Sequence, residues 1–195
     1  MNERTYLESK VHYRALRRIA FATARTELQG FVPEFRLADI GAKALGAWRE
    51  QWTDPHPAGS GGWNWDELAR WFQKEPSGFT VSIWSAELLC GMAGGRASDR
   101  RASGDRAALV IHNVESAPSP THPLKGSVAL IATAAAERYA GQIDAGCVRL
   151  LDPAPEVVPL YVALGYRVVR TRGRIVYCER ELDRNDESEA RDASA

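Results

Sequence analysis

The stretch "PEVVPLYVALGYRVV", residues 155–169, decides how the chain is read. Residues 154–164 read as a short helix, and Gly165 stands where a helix stops, since a glycine readily takes the left-handed conformation that ends one. "YRVVR" from Tyr166 then resumes as a strand, and "RIVYCER", residues 174–180, answers it across "TRG". The spacing predicts a closing hairpin. A short helix feeding such a hairpin implies a sheet with helices laid on it.

Upstream, "GCVRLL" (146–151) reads as a buried strand and "AALVIHNV" (107–114) as another. Between them, "THPLKGSVALIATAAAERYA" (121–140) is a proline-containing loop running into an alanine-rich helix that starts near Lys125. A helical crossover of this kind joins parallel strands. "FTVSIW" (79–84) and "ELLCGMAGG" (87–95) predict a hairpin before them. "RASDRRASGDR" (96–106) is a polar loop, expected to be mobile and to hold Arg96, Arg100 and Arg101; Arg172 and Arg174 are expected in a second loop.

The first part of the chain reads mostly helical. Residues 6–28 form a basic amphipathic pattern, with Leu7, Val11, Leu16, Ile19 and Ala20 on its apolar side. Residues 37–52 read as a second helix, although "FVPEFRL" leaves room for a first strand. "TDPHPAGSGG" (53–62) is a Pro/Gly loop. Asn64 or Asp66 then caps a short helix that ends before Pro76, and its Trp63, Trp65, Trp71 and Phe72 serve either a core or a pocket wall. The sum is an α/β chain built on a mixed sheet (α+β in its mixed strand directions). It divides into a helical N-terminal extension (1–36), a sheet domain (37–182) and a charged tail (183–195) expected to be disordered.

The chain is 45% hydrophobic, enough for a normal core, and its 25 basic and 25 acidic residues cancel. That balance argues against bulk nucleic acid or an anionic membrane as partner. Cys90, Cys147 and Cys178 are far apart and lie in apolar, strand-like runs, so buried thiols in a reducing compartment are expected. With no apolar leader and no spanning run, the cytoplasm is the expected location. His12, His56, His112 and His122 are scattered, without the spacing of a metal site, and no metal is expected.

Residues 79–180 resemble the GNAT superfamily, the acyl-CoA-dependent N-acyltransferases. The resemblance rests on Tyr161 followed by Leu164-Gly165-Tyr166 and a strand, on the strand–loop–helix around Gly126, and on the hairpin before it. It implies a central mixed sheet with helices on both faces, acetyl-CoA as acyl donor, and transfer of acetyl to a primary amine by direct attack in a ternary complex. It also implies a phosphate-holding loop of the form Gln/Arg-x-x-Gly-x-Gly/Ala. Here that loop reads Pro123-Leu124-Lys125-Gly126-Ser127-Val128, with Pro123 and Val128 departing from the pattern. Helix N-termini suit a pyrophosphate because their N–H groups are unpaired and partly positive.

The resemblance assigns Leu124, Lys125, Gly126, Ser127 and Val128 to the pyrophosphate. It assigns the main chain of Asn113 and Val114 to the pantetheine and to the developing oxyanion. Tyr161 takes the place of the acid that protonates the CoA sulfur, and Glu115 is the candidate acceptor of the amine proton, directly or through water. His112 and His122 are alternatives to Glu115, and His122 also stands near the phosphate. Two other readings stay open: a degenerate, non-catalytic module that binds protein or RNA, and a toxin that acylates aminoacyl-tRNA. A homodimer is left open as well.

Overall fold

The computed structural model describes residues 3–56, 61–98, 107–171 and 174–182. The elements run α1 (Glu3–Leu28), β1 (Arg36–Ala38), α2 (Ala42–Gln51), α3 (Trp65–Phe72), β2 (Phe79–Ser85), β3 (Leu88–Ser98) and β4 (Ala108–Ser116). Then come α4 (Val128–Gln142), β5 (Cys147–Leu151), a 3-10 turn (Pro155–Val157), α5 (Val158–Ala163), β6 (Arg167–Thr171) and β7 (Arg174–Glu181). The loop expected over 96–106 is outside the described residues from 99 onward, with Arg100 and Arg101. Arg172 and the tail from Asp183 are outside them too.

Seven strands form one sheet in the order β1-β2-β3-β4-β5-β7-β6. β4 and β5 pair in parallel, as the crossover through α4 requires. The other neighbours are antiparallel. One face carries the larger core, where Phe79, Val81, Ile83, Leu109, Ile111 and Val148 meet α4 and α1. The other face is closed by α2 and α3 through Ile40, Ala44, Trp65 and Ala69 against Trp84, Leu89 and Met92. The three cysteines are buried and free.

Three sequence expectations change. The span 37–52 is a strand and a helix, because Arg36–Ala38 pair with Ser82–Trp84 before Gly41 opens α2. Arg96 lies on β3, which runs to Ser98. Its guanidinium sits over the Trp71 ring at 5.1 Å and pairs with Glu75 at 3.2 Å. Arg174 likewise begins β7. The apolar side of α1 holds only in part: Ala20 is buried and Leu16 packs against the core as expected, joined by Phe21 and Ala24, while Leu7, Val11 and Ile19 are 56%, 72% and 50% exposed. The reason is the partner. α1 lies along alanine-rich α4, whose small side chains let the two helices approach closely. Arg138 on α4 and Glu27 on α1 pair across this contact at 2.9 Å.

Candidate active site

The site begins where β4 and β5 part. Their ladder ends at Ile111 and Leu150, yet β4 continues, paired with β3 as far as Ser116. From His112 onward the β5-facing edge of β4 is therefore without a strand partner. A bulge at the same place, with Gly94 opposite Asn113 and Gly95 opposite Ile111, leaves His112 as the extra residue on β4. The side-chain period of a strand is two, so one inserted residue reverses the alternation. Ile111 and Val114 both join the α4-side core, while His112 and Glu115 both face α3.

A cavity of about 400 Å³ opens in the gap. Asn113, Val114, Glu115, Lys125, Val128 and Tyr161 all line it, so six of the nine residues proposed from sequence meet in one place. Leu124, Gly126 and Ser127 do not line it. The Leu124 side chain is fully buried in the larger core.

The loop before α4 is a tight turn. Gly126 has φ +83°, and nothing lies within 4 Å of where its Cβ would be. The Ser127 N–H donates to Leu124 O at 3.0 Å, which takes one of the expected donors out of use. Ser127 is the N-cap residue but its side chain caps nothing. The N–H groups of Gly126, Val128, Ala129 and Leu130 thus meet no backbone acceptor among the described residues. Val128 is 3% exposed and seated on the sheet, since a Cβ on Gly91 would come within 2.5 Å of its Cγ1. The extra side chain relative to the family pattern points into the core.

Glu115 lies on the strand and is 3% exposed, rather than in a solvated loop. Its Oε1 accepts from the Gly62 N–H, and its Oε2 from the Trp65 indole. His56 Nε2 is 3.3 Å from Oε1. Burial raises its pKa, and the bonds from Trp65 and Gly62 and the nearby His56 only partly oppose this. α3 brings Trp65 here because Asn64 caps the helix, accepting from Glu67 N–H at 3.4 Å. Tyr161 is 6% exposed, and burial pushes its pKa up to about 12, so the phenol keeps its proton at neutral pH.

His112 is set edge-on to Trp71 at 4.9 Å, and burial, then Arg96, lowers its pKa. His122 is buried, hydrogen-bonded through Nε2 to Ser116 Oγ at 2.8 Å, and its pKa is lowered by burial and Lys125. It presents no cation to the loop. Of the aromatic cluster, Trp63 lines the cavity while Trp65 and Phe72 are core. His56 and Gly61 line the cavity without having been assigned from the sequence, while Trp63, a candidate for a pocket wall, lines it as that reading allowed. Only a place in a Pro/Gly loop marked His56 and Gly61, and nothing local reports a contact with a residue some sixty positions away.

No family model matches the sequence, and no curated protein matches it. Solved structures do. The ribosomal-protein-S18-alanine N-acetyltransferase of Escherichia coli superposes with a TM-score of 0.53 at 11% identity, over 79% of this chain and 97% of its own. An acetyltransferase from Thermus thermophilus gives 0.53 at 16% identity over 77% and 99%. The NatC complex bound to Gag peptide and CoA gives 0.53 at 11% over 77% and 100%. The chain has the fold of the GNAT acetyltransferases, and the resemblance seen in the sequence holds at that level.

Proposed function

We propose that the protein is an N-acyltransferase that moves an acetyl group from acetyl-CoA to a primary amine. The observation that carries this reading is the gap between β4 and β5, with an unpaired β4 edge at Asn113–Val114 and a proton donor and a carboxylate in one cavity. A CoA thioester suits the residues present. The uncapped α4 N-terminus and the open, left-handed Gly126 offer N–H groups to a pyrophosphate, with Lys125 exposed beside them. The free β4 edge offers hydrogen bonds to pantetheine amides and a donor for the carbonyl oxygen. The neutral Tyr161 hydroxyl supplies a proton to the departing sulfur, and the Glu115 carboxyl stands at the end of the path that removes the amine proton.

Calorimetry tests the donor site. Acetyl-CoA is expected to bind the wild type and not the Gly126→Trp variant, whose indole would stand in the mouth of the loop. A folded wild type that takes up no acetyl-CoA at millimolar concentration contradicts the proposal.

A further inference from the structure

Glu115 is poorly placed to meet an amine itself. Its side chain is 2% exposed, and each oxygen already faces a donor, the Gly62 N–H and His56 on one side and the Trp65 indole on the other. His56 lines the same cavity beside this carboxylate, and its side chain is 17% exposed against 2% for Glu115. The loop that carries it is anchored at Trp52, whose indole donates to Leu89 O at 2.9 Å and whose ring lies 6.0 Å from the imidazole. A carboxylate 3.3 Å from Nε2 favours the tautomer with its proton on that nitrogen, which leaves Nδ1 as the acceptor. Nδ1 is turned toward Gly61. A Cβ there would lie 2.6 Å from Nδ1 and 2.5 Å from Oε1 of Glu115. Gly61, at φ +91°, therefore keeps the space in front of the pair clear.

We infer that His56, oriented by Glu115, is the group that takes the proton from the acceptor amine. This rests on the acyltransferase reading. As the amine nitrogen attacks, the N–C bond forms and the C–S bond breaks. The departing sulfur takes the Tyr161 hydroxyl proton, and the amine proton goes to His56 Nδ1. Glu115 then stabilises the imidazolium, so it is a positioning residue. Amine and thioester become amide and thiol, and the proton on His56 returns to Tyr161 through solvent. The other titratable groups on the cavity wall are His112, Lys125 and Asp152. His112 is held against Trp71, away from the carboxylate pair.

The test compares wild type, His56→Ala, His56→Gln and Glu115→Gln for transfer from acetyl-CoA to a panel of primary amines. Both His56 variants are expected to lose about 10²–10⁴-fold in kcat, with acetyl-CoA affinity unchanged by calorimetry. Added imidazole should restore part of the rate in His56→Ala, which a purely structural histidine would not allow. His56→Gln keeps the bulk if the alanine variant unfolds. Nitrogen-15 NMR of the wild-type His56 ring should show the Nε2–H tautomer, and Glu115→Gln should weaken that preference. A ring protonated on Nδ1, or a wild type whose activity survives in both His56 variants, overturns the inference alone. A wild type that binds no acetyl-CoA and acylates no amine overturns the function and the inference together.

Discussion

Two buried glutamates on this sheet have opposite protonation tendencies. Glu115 is raised because burial outweighs its donors, so the folded protein binds its proton more tightly than the unfolded chain. Stability from this group is full below the ordinary glutamate pKa and falls as pH rises through the folded value. Glu115→Gln should therefore gain in melting temperature relative to wild type as pH increases. A difference independent of pH contradicts the assignment. For Glu179, burial works to raise the pKa but two guanidiniums more than offset it, leaving it lowered. Arg149 Nε lies 2.5 Å from its Oε2, and Arg167 holds the other oxygen. Its contribution is present above the ordinary glutamate pKa and is lost as pH falls through the folded value. Removing one partner strands a buried charge, so Glu179→Ala should cost about 3–5 kcal/mol in urea unfolding. A cost under about 1 kcal/mol, the range of exposed pairs, would show that the pair is not insulated from water.

Between elements, the contact that shapes the start of α4 is Val128 on Gly91. A methyl on Gly91 collides with Val128 Cγ1, so Gly91→Ala should destabilise by about 1–3 kcal/mol. In a Val128→Ala background the same change should cost less, and a double-mutant cycle measures the coupling. Full additivity would show that the two do not touch. This contact also shows where sequence reading ran out. The pattern of "VALIATAAAERYA" identified α4, but which way Val128 points depends on a glycine on another strand. The parallel β4–β5 pair and the closing β6–β7 hairpin were legible because helix and strand periods, Gly165 and the crossover length are local signals. β1 was nearly invisible: three residues carry no period, and only pairing with β2 makes them a strand. The buried side of α1 was legible at Leu16 and Ala20 but not at Leu7, Val11 and Ile19, because helical spacing admits several faces and the choice fell to the contact with α4. Tyr161 and Glu115, assigned from the sequence, line the cavity; His56 was not assigned, since only the fold brings it within 3.3 Å of Glu115.

At the scale of the whole molecule, one topological fact organises the rest. A sheet held together everywhere else opens between β4 and β5, and the opening receives the α4 N-terminus, Tyr161 and the His56–Glu115 pair. The described residues contain no helix long and apolar enough to cross a membrane, and no cluster able to hold a metal ion. Under the proposed function, this opening is where the acyl group is transferred. The most direct measurement follows acetyl-CoA with a panel of primary amines, reading thiol release and amide formation together, for wild type and Tyr161→Phe. One thiol per amide is expected, with a loss of about 10²-fold or more in Tyr161→Phe without loss of fold. Acetyl-CoA binding with neither thiol nor amide formed with any amine would contradict it, and would mark the chain as a binding module on an acyltransferase fold.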